Sequence, residues 1–217
     1  MQIPESPIRS PKRNLCSTCE RPVQTCYCDL IRQTPTHSDI VLLQHPTEVQ
    51  HSKNTGHFLT RCLISSHRLI GESFNCDENP LSSMLNDNCF NVLLYPSTAE
   101  AQSLGMIEST AVDVAHIKKL LSENKKIRLW CIDATWKKSR KILYLNPWLQ
   151  QLPRLQLDSM PDSLYRIRKA EKQYQLSSFE ACCYALASWE TDFTLNALLS
   201  AFQQFIDRTG QFRPHDG

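Results

Sequence analysis

IRLWCIDATWKKSRKIL, residues 127–143, changes character at its midpoint. The run 127–132 is apolar but for Arg128 and ends on an acid, Asp133. Trp136 follows three residues later, then four cations in five positions: Lys137, Lys138, Arg140 and Lys141. A near-continuous apolar run reads as a strand buried on both faces rather than a half-exposed, alternating one. The stretch 135–146 reads as a helix, stopped at Asn146-Pro147. A buried strand running straight into a helix is the unit of an α/β fold.

The same grammar repeats outward. DIVLLQHP (39–46) and CFNVLLYP (89–96) are apolar runs stopped by proline, and LPRLQLD (152–158) is a shorter one. Between them, 52–65 has Phe58, Leu59, Cys62 and Leu63 at helical spacing, with Ser52 or Asn54 as cap, and 112–124 is a second helix. Helices over 177–190 and 194–209 close the chain, the first capped by Ser177 or Ser178 with Glu180 in its first turn. The expected fold is an α/β sheet flanked by helices. Three polar loops, HPTE (45–48), YPST (95–98) and DATW (133–136), fall just after strand ends. Ligands of open α/β sheets bind at the carboxyl ends of strands, so these loops mark a site by position alone.

The 217 residues, 41% hydrophobic and 21% charged, suit one large domain with a small appendage. No run of 18 apolar residues exists, which excludes a membrane-spanning helix and leaves no membrane partner expected. MQIPESPIRSPKRNLC lacks an apolar core and reads as a basic arm over 1–13, not a secretory signal, so a cytoplasmic location is expected. Net charge is only +2, but residues 125–141 carry seven cations against Asp133, whereas 72–100 carries five acids and no Lys or Arg. Such a basic face suits a polyanion, and equally a solvated helix face. Five glycines form neither G-x-G-x-x-G nor a phosphate loop, which disfavours a Rossmann enzyme and a nucleoside triphosphatase.

Ten cysteines divide in two groups. Cys16-x2-Cys19-x6-Cys26-x-Cys28 packs four thiols into thirteen residues, the donor set of a closed structural zinc site, and defines a knuckle over 14–38. The other six (Cys62, Cys76, Cys89, Cys131, Cys182, Cys183) read as core filler. Asp133 is either a helix N-cap or a group that orients a ligand or accepts a proton. Trp136 is either a packing residue or a stacking plate beside phosphate-holding cations. Within YRIRKAEKQYQLSSFEA (165–181), Arg166, Arg168 and Lys169 are either a clamp for a carboxylate or phosphate or an ordinary charged turn.

Together these residues resemble the DTW domain family. Asp133-Ala134-Thr135-Trp136 is its D-x-T-W signature, and the likeness extends over roughly 14–200: the four cysteines, HPTE, Asn54-Thr55-Gly56, LLYPS (93–97), NPWLQQLPRLQL (146–157) and YRIRK…LSSFEA. Three positions depart from the family's habit: Ser178-Phe179 stands where Thr-Leu is common, and His57 where arginine is common. The resemblance implies a SPOUT-like, trefoil-knotted α/β domain over 39–217. It implies a tRNA-uridine aminocarboxypropyltransferase that moves the 3-amino-3-carboxypropyl group of S-adenosylmethionine to uridine N3, at the variable-loop position 47 of tRNA, and releases methylthioadenosine. On that reading Asp133 is the base or orienting group. Thr135 and Trp136 shape the pocket, Leu94, Tyr95, Pro96 and Ser97 line the adenosine side, and Arg166, Arg168 or Lys169 holds the donor's carboxylate. Lys137, Lys138, Arg140 and Lys141 hold tRNA. The rivals are a SPOUT methyltransferase, an rRNA aminocarboxypropyltransferase and a non-catalytic zinc-knuckle RNA binder.

Overall fold

The strand that opened the sequence, β5 (Lys126–Asp133), is buried from Ile127 to Asp133 and lies near the middle of a six-stranded sheet. The computed structural model describes residues 14–49, 51, 54–96, 109–157 and 176–211. The other strands are β1 (Asp39–Gln44), β2 (Ser66–Ile70), β3 (Cys89–Leu94), β4 (Ala111–Val112) and β6 (Arg154–Leu155). Their order is β2-β1-β5-β3-β6-β4, and every pairing is parallel. Parallel neighbours need crossovers, and the described helices supply a cover on each face. They are α1 (Pro46–Val49), α2 (Gly56–Cys62), α3 (Leu81–Asn86), α4 (Val114–Ser122), α5 (Trp136–Leu145), α6 (Pro147–Gln150), α7 (Ser178–Trp189) and α8 (Leu195–Gln211).

The period of two along each strand sorts the core into two layers. Leu42 and Cys131 face one layer, with Phe58 of α2, Phe179 and Cys182 of α7 and Phe202 and Phe205 of α8. Leu43, Trp130 and Leu93 face the other, with Met84 of α3, Ile142 and Leu143 of α5 and Leu149 of α6. Phe58 stacks on Phe179 and Phe205 at centroid distances of 5.4 and 4.7 Å. Ser177 caps α7 in a capping box: its hydroxyl accepts from Glu180 N, and the Glu180 carboxylate accepts from Ser177 N.

The knuckle docks on this framework. Tyr27 is fully buried, edge-on to Phe58 (5.2 Å) and Phe205 (5.3 Å). Arg208 of α8 donates to both Asp29 carboxylate oxygens (2.5 and 2.8 Å) and to the Cys26 carbonyl (2.7 Å).

The sequence reading misses β2 because SHRLI sits at a sheet edge and is only half buried, so its side chains carry no apolar run. It overextends β6, which pairs over two residues rather than 152–158. Cys76 and Cys89 are not core: both are partly exposed, Cys76 before α3 and Cys89 at the start of β3. Cys62, Cys131, Cys182 and Cys183 are buried as expected. Among the described residues, no helix is long and apolar enough to cross a membrane.

Candidate active site at the carboxyl edge of the sheet

Gln44 and Asp133 are the last residues of β1 and β5 and lie opposite each other in register. Both are buried, Asp133 to 6% exposure. Gln44 Nε2 donates to Asp133 Oδ2 (2.6 Å) and to Asn54 Oδ1 (3.0 Å). Ser178 Oγ, in the first turn of α7, donates to Asp133 Oδ1 (2.7 Å). Each carboxylate oxygen therefore has a donor, one from the neighbouring strand and one from a helix. The backbone joins in: His45 N donates to the Asp133 carbonyl (3.1 Å). Asn54 Oδ1 also accepts from His57 N (3.1 Å), which ties the start of α2 to the same cluster.

This geometry disposes of the N-cap reading of Asp133. Thr135 occupies the N-cap position of α5 and makes no side-chain capping bond. The Asp133 side chain turns across the sheet edge instead. Gly56 is there for closeness. A Cβ at that position would stand 2.4 Å from Asp133 Oδ2 and 2.6 Å from Leu42 Cδ2, so any other residue displaces the carboxylate and the Leu42 side chain.

The HPTE loop forms a second, charged cluster beside it. His45 Nδ1 meets Thr47 Oγ1 (3.0 Å) and Nε2 meets Glu72 Oε1 (2.6 Å). Lys141 donates to Glu72 Oε2 (2.5 Å). Lys141 first, then His45, holds the Glu72 carboxyl below the usual carboxylate range. Lys138 bonds Thr47 Oγ1 and stands 3.6 Å from Glu48 Oε1. Two of the four ridge cations thus face acids that the sequence does not place beside them. Lys137 is exposed.

The third cluster is aromatic. Trp136, 45% exposed, meets buried Tyr95 edge-on at 5.7 Å. The Tyr95 hydroxyl and Ser139 Oγ are 3.0 Å apart, which fixes the ring against α5. Tyr95 N donates to the Leu155 carbonyl (3.2 Å), so the chain leaving β3 stays on the sheet for one residue more. The guanidinium of buried Arg154 lies 5.8 Å from the Tyr95 ring centre.

The four knuckle sulfurs lie within 4.8 Å of one another. Cys16 and Cys28 sulfurs are 3.6 Å apart, Cys19 and Cys26 sulfurs 3.8 Å. Tetrahedral Zn–S bonds of about 2.3 Å require sulfurs about 3.8 Å apart, so the cluster fits zinc as it stands. Backbone N–H groups of Cys19 and Thr18 lower Cys16 to about 6, while burial and the neighbouring sulfurs push Cys28 up. Four such thiols do not ionise together without a cation to hold them.

Of the residues expected at the site, Asp133, Leu94, Tyr95, Pro96, Thr135 and Trp136 come to this one edge of the sheet. Ser97, Arg166, Arg168 and Lys169 lie outside the described residues. Gln44, Ser178 and Arg154 were missed as functional candidates. Gln44 hides inside an apolar strand, and Ser178 reads as a cap. Arg154 reads as one more surface charge.

The DTW domain model matches residues 13–210. The chain is 28% identical over 185 residues to tRNA-uridine aminocarboxypropyltransferase 2 of Drosophila melanogaster, which covers 83% of this chain and 68% of the fly protein. It is 24% identical over 145 residues to tRNA-uridine aminocarboxypropyltransferase A of Arabidopsis thaliana, 61% of this chain and 51% of the plant protein. The chain thus spans about two thirds of the fly relative and half of the plant one. No solved structure matches it.

Proposed function

From the premise that the chain belongs to the DTW domain family, we propose that it transfers the 3-amino-3-carboxypropyl group of S-adenosylmethionine to N3 of a tRNA uridine. The observation that carries this reading is Asp133. The D-x-T-W carboxylate is gripped by Gln44 and Ser178 at the carboxyl edge of a parallel sheet, beside a half-exposed tryptophan. The names of the fly and plant relatives supply the reaction.

The chemistry is one displacement. The N3 lone pair of uracil attacks the methylene bonded to the sulfonium. The C–S bond breaks, its electrons stay on sulfur, and methylthioadenosine leaves. The N3 proton must go to a base. A carboxylate has about four lone-pair sites, and each Asp133 oxygen uses one on Gln44 or Ser178. We assign that role to Asp133, which either takes the proton or orients the base. In-line placement of N3 supplies the rest. Thr135 and Trp136 wall the acceptor side. Leu94, Tyr95, Pro96 and Ser97 line the adenosine side.

Mass spectrometry of the small-molecule product tests the reading. Purified protein, S-adenosylmethionine and bulk tRNA are expected to yield methylthioadenosine only when tRNA is present. S-adenosylhomocysteine instead would make this a methyltransferase. No turnover with tRNA but turnover with rRNA would move the acceptor.

The ridge of Lys137, Lys138, Arg140 and Lys141 is proposed to hold the tRNA backbone, with Lys137 contributing most because Lys138 and Lys141 already serve Glu48 and Glu72. Lys137→Ala is expected to reduce the slope of log affinity against log salt by about one unit, uniformly across tRNA species. A wild-type slope would remove Lys137 from the interface.

The same proposal takes zinc as structural, 14–38 as the knuckle and 39–217 as a SPOUT-like knotted catalytic domain. The arm (1–13) and residues 97–108 and 158–175 lie outside the described residues. The all-parallel sheet, with the β5–β3 pair at its centre, supports the fold assignment. Ten free cysteines support a reducing, cytoplasmic location.

A further inference from the structure

Arg154 sits where a charge is expensive and has little to show for it. It is 8% exposed, and its Nε and Nη2 find no hydrogen-bond acceptor among the described residues. Arg128 is similarly buried but meets Asp39 (2.9 Å), Asp87 (2.7 Å) and the Met84 carbonyl. The Arg154 guanidinium carbon lies 5.8 Å from the Tyr95 ring centre, a cation–π contact that gives Nε and Nη2 no acceptor. Burial lowers its pKa. A buried guanidinium with two nitrogens unpartnered among the described residues is costly unless something completes it.

The backbone holds this group rigidly. Arg154 lies in β6 with a strand on each side, paired to Leu93 of β3 and Ala111 of β4, and its N–H donates to the Thr110 carbonyl (2.8 Å). Register places it on the face of Leu93 and Trp130, level with Trp130, and its guanidinium reaches up to Tyr95, which follows β3 at the carboxyl edge. Only β3 separates β5 from β6, so their axes are about 10 Å apart.

Resting on the transfer reaction proposed above, we propose that Arg154 binds the carboxylate of the S-adenosylmethionine donor as a guanidinium–carboxylate pair. The two oxygens of the donor complete the unused fork. That anchor fixes the end of the aminocarboxypropyl chain under the Tyr95–Trp136 wall and turns its γ-methylene, rather than the methyl group, toward the acceptor. An RNA phosphate presents similar oxygens, but so deeply buried an arginine suits a small ligand inside the edge better than a strand laid over it.

Calorimetry on the full chain tests this with three ligands: S-adenosylmethionine, decarboxylated S-adenosylmethionine and methylthioadenosine, of which only the first has the carboxylate. The wild type is expected to prefer S-adenosylmethionine over its decarboxylated form by about 30-fold, the scale of a charge-assisted pair. Arg154→Gln is expected to lose that preference, weakening S-adenosylmethionine about 30-fold and the other two less than threefold. Arg154→Lys, checked by thermal melting, is expected to restore part of it. Equal weakening of all three ligands would make Arg154 a packing residue. Unchanged donor binding with a smaller tRNA salt slope would assign it to phosphate. Either result overturns the proposal. A wild type that binds none of the three would instead sink the transferase reading on which it rests.

Discussion

Asp133→Asn is expected to keep the fold and lower methylthioadenosine formation about 1000-fold at neutral pH, within the range of a lost general base. Asparagine is the right probe because the site can still be satisfied. Gln44 Nε2 can go on donating to the amide oxygen, as it does to Asp133 Oδ2 at 2.6 Å. The Ser178 hydroxyl, now a donor to Oδ1, can rotate to accept from the amide nitrogen. Folding stability should then change by less than about 1 kcal/mol. Alanine would instead leave donors short of an acceptor and open a void, confusing loss of chemistry with loss of structure. The pH profile of the residual rate separates two roles. If Asp133 takes the N3 proton, the variant's rate rises with pH as uracil loses that proton unaided. If Asp133 only orients the base, the variant keeps the shape of the wild-type pH profile at a lower rate. Activity within threefold of wild type would remove the carboxylate from the mechanism altogether.

The residues that made Asp133 legible differ in kind from those that make it work. The strand IRLWCID, the helix after it and the polar loops behind proline-stopped strands are short-range signals, and β1, β3, β5 and α5 follow them closely. The partners are long-range. Gln44 and Ser178 are 89 and 45 residues from Asp133 in the chain, and only the β1–β5 register and the seating of α7 bring them together. Charge was read least well. Lys138 and Lys141 form a ridge in sequence, but folding sets Glu48 and Glu72 against them. Arg154 carries no local sign of burial, since β6 is two residues long and is enclosed only by β3 and β4.

Removing the knuckle's zinc is expected to lower the melting temperature by about 10 °C. The purified protein should carry one zinc per chain, and Cys28→Ser should lower that content. The reasoning starts from the sulfurs, which already stand at tetrahedral spacing while all ten cysteines are free. Zinc binding to such clusters is worth about 10 kcal/mol or more, so the segment's order follows the metal. Only part of that reaches the whole domain. If the knuckle opens, Tyr27 leaves its place against Phe58 and Phe205, and the Arg208 bonds to Asp29 and Cys26 loosen. Burying one large aromatic contributes about 3 kcal/mol, and in a domain of this size each kcal/mol moves the melt by about 2–4 °C. A metal-free protein with four titratable thiols and an unchanged melt after chelation would contradict the site. Donor binding discriminates further. The partners that fix Asp133, Gln44 and Ser178, come from β1 and α7, not from the knuckle. Below the lowered melt, S-adenosylmethionine should therefore bind the chelated protein as before. Donor affinity that falls with the zinc while the sheet stays folded would place the metal in the chemistry rather than in the scaffold.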